Sequence, residues 1–288
     1  MGMAQAWRAH SGCARDALDE ADDVLGFGLA GLMRDGPADQ LDDTAQAQPA
    51  ILAASIAILR SVTDTLPAPA FVAGHSMGEY GALVAAGSLG YPDALALVRE
   101  RGRLMARAGV LNPGRMAAVL GLDDDAVEAV CAVIDGVQVA NYNSPGQVVI
   151  SGAAAAVDDA SERLRDAGAK RVVPLAVSIA AHSALMGSVA EDFAQAVSGA
   201  VVLPARPPLV ANITARPIQE PDQLRSELAS SLQNPVRWSE SVLWMHEQGV
   251  RRFIEIGPGG VLTGLVKRIL RGADDVTAES LAEPEGLA

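Results

Sequence analysis

Apolar residues recur at helical spacing over 14–25, and 48–66 reads as one long apolar helix. The segment AFVA at 70–73 reads as a short strand, followed by a turn and another helix. Between 116 and 177 the pattern breaks into shorter pieces: strand 116–120, helix 123–134, strands 137–141 and 147–151, helix 154–167 and strand 171–177. Ser144-Pro145-Gly146 supplies the turn for a hairpin between the two middle strands. This βαββαβ order is that of two split βαβ units, the ferredoxin-like layout of a small sheet backed by two helices. It predicts an α/β protein in which a ferredoxin-like small subdomain, 111–179, is inserted into a large α/β subdomain made of 1–110 and 180–288. The large part resumes with a helix over 182–196, strands at 208–212 and 252–255, and a helix over 260–270. Only the tail after Ala273, rich in Asp, Glu and Gly, reads as loose.

Composition narrows the class. The 288 residues are half apolar but only 3% aromatic, so the core has to be built from Ala, Leu, Val and Ile. A net charge of −13 with no basic run leaves no electrostatic footprint for nucleic acid or an anionic membrane. The longest apolar stretch, 49–59, is too short to span a bilayer, and the first residues lack the apolar core of a signal peptide. A soluble, cytoplasmic protein is expected, as a monomer. Cys13 and Cys131 have no CxxC spacing, so two reduced thiols are expected, with no metal site and no cofactor.

The strongest chemical signal is Gly74-His75-Ser76-Met77-Gly78 between the 70–73 strand and the helix that follows. Gly-x-Ser-x-Gly in a strand-turn-helix context is a nucleophile elbow, although the same five residues can also be a plain turn. As an elbow, the glycines allow strand and helix to approach closely and the Ser76 hydroxyl projects from the top of the sheet. Free N–H groups at the start of the next helix favour negative charge there, which makes the Met77 N–H the natural oxyanion donor.

A serine needs a base. Of the four histidines, His10 lies near the terminus and His246 in a surface helix, and both read as solvated. His75, an immediate neighbour of Ser76, points away from it. His182, where a strand gives way to a helix, is the remaining candidate base, with an N-cap or a packed core histidine as the alternative. No acidic third member stands out, and a backbone carbonyl could orient the imidazole in place of an Asp. On the helix over 92–108, Arg101 falls on the apolar stripe of Ala94, Leu97, Val98, Leu104, Met105 and Ala108, while Arg99, Arg103 and Arg107 face elsewhere. A buried arginine must be paired, either with a protein carboxylate or with the carboxylate of a substrate.

These residues carry a resemblance. GHSMGEY, QPAIL (48–52), ERGRLM (100–105), NSPGQVVISG (143–152), AHSALM (181–186), NPVRW (234–238) and EIGPGGVLTGLVKR (255–268) together resemble the malonyl-CoA:acyl carrier protein transacylases of fatty acid and polyketide synthesis. That family has an α/β-hydrolase-like large subdomain and a ferredoxin-like small one. The resemblance implies that Ser76 takes malonyl from malonyl-CoA as an ester and passes it to the phosphopantetheine thiol of an acyl carrier protein. It implies His182 as base and acid, Arg101 as the ligand of the malonate carboxylate, and Asn143 and His75 as further substrate-binding residues. A main-chain carbonyl near Ser231 would steady the histidine, where a glutamine is usual.

The sequence also departs from the family. The family opens with a strand and a GQGSQ-like loop whose first glutamine gives a second oxyanion N–H, and this chain starts just downstream of that loop. The N-terminal strand is therefore expected to be missing and the recorded start to be too late. If translation does begin at Met1, the lost donor should cost about 10²- to 10³-fold in rate. Two other readings compete: a hydrolase that clears acyl groups from carrier proteins, and a truncated, inactive homologue. The carrier protein is expected to be acidic, so docking needs a local basic patch, for which Arg251, Arg252, Lys267, Arg268 and Arg271 are candidates.

Overall fold

The computed structural model describes residues 1–287. Its first third is helical, with α1 (Gln5–His10), α2 (Gly12–Leu25), α3 (Leu29–Asp35), α4 (Ala38–Asp42), α5 (Thr44–Val62), α6 (Gly78–Ala85) and α7 (Tyr91–Leu111). Polar caps set two of the starts: the side chain of Ser11 accepts from Ala14 N, and that of Asp43 from Ala45 N. The Asp43 cap begins α5 at Thr44 rather than at 48, and the helix ends at Val62. Ala17, Ala21, Ala50, Ala53, Ala54, Ala57 and Ala94 are all fully buried where α2, α5 and α7 meet, so small side chains bring these helices close together. The tightest crossing is at Gly102 of α7. A Cβ there would lie 2.6 Å from the Thr44 carbonyl oxygen and 2.8 Å from Ala45 Cα.

Next in the chain are β1 (Gly114–Leu120), α8 (Asp124–Ala132), β2 (Val137–Ser144), β3 (Gln147–Ala153), α9 (Ala154–Asp166) and β4 (Arg171–Pro174). The four strands form one sheet in the order β2-β3-β1-β4, with antiparallel neighbours throughout. Val119, Val139, Val148 and Ile150 of the strands pack on Val127, Cys131, Val157 and Leu164 of α8 and α9, a core separate from the helical one. The register between β2 and β3 slips twice, and the second slip leaves Asn143 unpaired between Tyr142 and Ser144. A bulge of this kind re-aims a side chain out of the regular pleat. Tyr142 N donates to Val236 O and Val236 N to Ala140 O, which ties the bulged strand to the segment ahead of α12.

The remainder comprises α10 (Gly187–Gly199), β5 (Leu209–Val210), β6 (Pro217–Ile218), α11 (Pro221–Ser230), α12 (Trp238–Glu247), β7 (Arg252–Glu255), α13 (Val261–Ile269) and β8 (Thr277–Ser280). A third core joins Val210, Val236, Trp238, Val242, Leu265, Val266 and Ile269.

Other expectations change as well, and the strand expected at 208–212 shortens to β5. The strand at 70–73 reduces to one parallel bridge, Val72 to Leu209. The strand at 171–177 ends at Pro174. The helix expected over 182–196 starts at Gly187, because His182 has φ +58° and Ser183 caps a 3₁₀ turn over Ala184–Met186. The tail after Ala273 is not loose as far as it is described: β8 pairs in parallel with β7, and Leu281 is buried. Trp7 Nε1 donates to the carbonyls of Leu281 and Ala282 at 3.0 and 3.1 Å, joining the two ends of the chain. No helix among the described residues is long and apolar enough to cross a membrane.

Candidate active site

The elbow is built by one steric constraint and several hydrogen bonds. A Cβ on Gly74 would run into the Gly78 carbonyl, so strand and helix meet there only because residue 74 is glycine; at Gly78 nothing lies within 4 Å of an added Cβ. Ser76 takes φ +52°, the left-handed region, which costs a non-glycine residue about 1–2 kcal/mol and is retained where the surroundings over-determine it. Gly78 N donates to His75 O and Glu79 N to Ser76 O, the first turn of α6. Met77 N–H has no acceptor among the described residues, and it sits where the helix leaves N–H groups free.

Ser76 Oγ lies 2.8 Å from His182 Nε2. On the other side of the ring, Nδ1 faces two backbone carbonyls, Ser231 O at 2.9 Å and Asn234 O at 3.0 Å. Carbonyls only accept, so Nδ1 carries the proton and Nε2 presents its lone pair to the Ser76 hydroxyl. Gln138 fixes the loop around the histidine: Nε2 donates to His182 O at 3.2 Å and Oε1 accepts from Ala184 N at 3.1 Å. Burial, Arg101 and His75 together lower the His182 pKa to about 3, with the two carbonyls opposing, so the imidazole is neutral at physiological pH.

Arg101 is 2% exposed and makes no ion pair among the described residues. Its Nη1 donates to Gln48 Oε1 at 2.8 Å and its Nη2 to Ser76 Oγ at 2.9 Å, while Nε has no partner. The close crossing at Gly102 is what brings Gln48 of α5 against Arg101 of α7. Gln48 in turn donates to Thr44 Oγ1 at 3.1 Å. The other arginines of α7 are engaged elsewhere: Arg99 with Leu25 O, Arg103 with Glu100 and Arg107 with Asp192.

His75 Nε2 donates to Asn143 Oδ1 at 2.8 Å, the contact for which the β2 bulge frees Asn143, and the His75 ring packs against Trp238. Burial lowers the His75 pKa, with the Asn143 hydrogen bond opposing. Ser76, His182, Arg101 and the Ser231 carbonyl thus converge, while His75 and Asn143 form a second pair one residue along the elbow. Sequence reasoning missed Gln48, the Asn234 carbonyl and the residues that brace the elbow from behind, Asn212 and Glu79. QPAIL and NPVRW flagged the first two segments without giving a role to either residue.

Comparison with known proteins agrees with this architecture. Residues 1–283 match the acyl transferase domain family model. The malonyl CoA-acyl carrier protein transacylase of Escherichia coli is 41% identical over 292 residues, covering 100% of this chain and 94% of that protein. Its namesake from Bacillus subtilis is 41% identical over 289 residues, covering 99% and 90%. Among solved structures, an acyl carrier protein S-malonyltransferase from Vibrio cholerae superposes with a TM-score of 0.96 at 39% identity, covering 100% of this chain and 94% of that one. A malonyl-transacylase solved in complex with a type II PKS acyl-carrier protein superposes with a TM-score of 0.95 at 40% identity, covering 100% and 93%. A family match over nearly the whole length, together with relatives about 40% identical, establishes that the chain belongs to the acyl transferase domain family.

Proposed function

We propose that the protein transfers a malonyl group from malonyl-CoA to the phosphopantetheine thiol of an acyl carrier protein through an ester on Ser76. The observation that carries this reading is Arg101: a buried cation with no carboxylate partner among the described residues, within hydrogen-bond distance of the nucleophile. A malonyl carboxylate supplies the missing anion in a bidentate fork and leaves the thioester carbonyl beside Ser76. The names of the relatives point to the same substrate.

In the first half-reaction His182 Nε2 takes the Ser76 proton as Oγ attacks the thioester carbon. The Met77 N–H faces the oxyanion. Collapse breaks the carbon–sulfur bond, and the departing CoA sulfur takes the proton from His182. The second half-reaction runs the same steps backwards with the carrier thiol as nucleophile. The ring needs no carboxylate to orient it, because the Ser231 and Asn234 carbonyls hold Nδ1–H.

The same reading treats 111–179 as a ferredoxin-like small subdomain between two halves of an α/β-hydrolase-like one, and the antiparallel order β2-β3-β1-β4 supports it. For carrier docking, Arg251 and Arg252 are engaged with Asp275 and Glu279 at 2.5 and 2.7 Å. Lys267, Arg268 and Arg271 have no carboxylate partner among the described residues, so they are the better candidates for an acidic carrier, and transfer should slow with added salt.

The test is intact-protein mass after mixing with malonyl-CoA, with Ser76→Ala as the control, followed by addition of carrier protein. A Ser76-dependent malonyl adduct that moves to the carrier is the expected result. An adduct that drains to water would mark a hydrolase, and no adduct would overturn the reading.

A further inference from the structure

The Ser76 elbow is braced from behind by residues that take no part in the steps above. Asn212, two residues beyond β5 and 2% exposed, spans the turn with both ends of its amide: Oδ1 accepts from Ser76 N at 2.7 Å and Nδ2 donates to Gly74 O at 2.7 Å. An amide offers an acceptor and a donor on separate atoms at that separation, and stays uncharged at every pH. Its own backbone is fixed in turn. Asn212 N donates to Glu79 Oε1 and Ile213 N to Glu227 Oε1, both at 2.9 Å, so two successive N–H groups are held by two buried carboxyls. On its far side Asn212 O accepts from Arg237 N at 2.9 Å, in the segment whose Asn234 carbonyl holds His182.

We propose that Asn212 is the positioning residue for the nucleophile, and that Glu79 and Glu227 act together, through Asn212, to hold the Ser76 elbow in register with His182. The left-handed φ of Ser76 is the reason a brace is needed, because that backbone otherwise relaxes and carries Oγ away from Nε2. The two carboxyls are buried side by side beneath the elbow. Burial and the neighbouring Glu227 carboxyl push Glu79 well above the ordinary carboxylate range, and burial raises Glu227 as well. Glu79 Oε2 has no hydrogen-bond partner among the described residues.

The inference rests on Ser76 being the nucleophile, and the experiment separates the two claims. The rate of Ser76 adduct formation from malonyl-CoA is measured by rapid quench and intact mass on the full chain, with KM from steady-state transfer. Asn212→Ala should acylate about 10²-fold more slowly with KM changed by less than about threefold, the signature of a misplaced reacting group rather than lost binding. Should that variant not fold, the isosteric Asn212→Asp tests the same point through pH, since its carboxyl matches the amide only when protonated and, once ionised, loses the donor to Gly74 O, so its acylation rate should fall as pH rises more than that of the wild type. Glu79→Ala should slow acylation, and Glu79→Gln should restore most of the loss, because its amide accepts from Asn212 N and donates toward Glu227. The double variant Glu79→Gln/Glu227→Gln should lose it again, because with both amide oxygens turned to the Asn212 and Ile213 N–H groups the two NH₂ groups are left facing each other with no acceptor between them. A folded Asn212 variant that acylates at the wild-type rate, or a double variant as fast as Glu79→Gln, overturns the proposal. A wild-type protein that forms no Ser76 adduct overturns the nucleophile assignment instead.

Discussion

Arg101 Nη2 donates to Ser76 Oγ across 2.9 Å, so the oxygen that attacks in the proposed reaction is also an acceptor for the guanidinium. A carboxylate bound in the fork competes for that donor. A substrate with the right anion thereby releases the hydroxyl from Arg101 while His182 stays in place, and an acyl group without one leaves Oγ occupied.

Replacing Arg101 with Ala should accordingly reduce kcat/KM for malonyl-CoA by about 10²- to 10³-fold, the loss of a buried charge pair, while acetyl-CoA use holds or rises. Arg101→Lys should not recover the malonyl rate, since an ammonium has no planar fork. Steady-state kinetics with the two thioesters decides it, and unchanged malonyl preference in Arg101→Ala would remove the assignment.

Gln48→Glu places a protein carboxylate where Gln48 Oε1 now accepts from Arg101. The guanidinium would then be paired internally, so malonyl-CoA should bind at least about 10-fold more weakly. A competition assay against free CoA reads this directly, and equal malonyl affinity would show that the Arg101 anion site lies elsewhere.

With a pKa near 3, His182 is already a neutral base well below pH 6.5. The kcat/KM for malonyl-CoA should therefore show no acid limb near the usual imidazole value. Stability has the opposite sensitivity. The unfolded chain takes up a proton at His182 near 6.5 and the native site does not, so this residue's contribution is intact above that pH and erodes as pH falls toward 3. An imidazole resonance of His182 titrating near 6.5 in Ser76→Ala would contradict both statements.

Gly74 and Gly78 frame the same serine but should behave differently. Gly74→Ala drives a Cβ into the Gly78 carbonyl and should abolish adduct formation, whereas Gly78→Ala opens the helix on open space and should change unfolding free energy by less than about 1 kcal/mol. Thermal melts and intact mass on the two variants separate them. An acylating Gly74→Ala protein would show that the elbow does not require the close approach seen here.

Residues whose role is written locally were the ones legible in the sequence. GHSMG announces a turn, the stripe on α7 announces that Arg101 points inward, and alternating short elements announce the four-stranded sheet. What escaped depends on distant segments meeting. Gln48 reaches Arg101 only because Gly102 lets α5 and α7 touch, and Asn212 reaches Ser76 across 136 positions. His182 was expected to open a helix, yet its left-handed φ delays the helix to Gly187, and that one backbone angle faces the ring toward both Ser76 and the two carbonyls. The strand at 70–73 fell short because strand propensity fixes neither the number nor the length of its partners.

The indole of Trp7, fully buried, is anchored to carbonyls 274 and 275 positions further along. On a ribosome adding about 5–20 residues per second, α1 therefore emerges roughly 15 to 55 s before the carbonyls that accept its indole N–H are made. Throughout that interval α2 and α5 can cover the ring, but the indole N–H lacks the carbonyls that accept it in the folded protein. That donor is thus satisfied only when residues 281 and 282 arrive, and Trp7 fluorescence should be among the last signals to reach its native value on refolding.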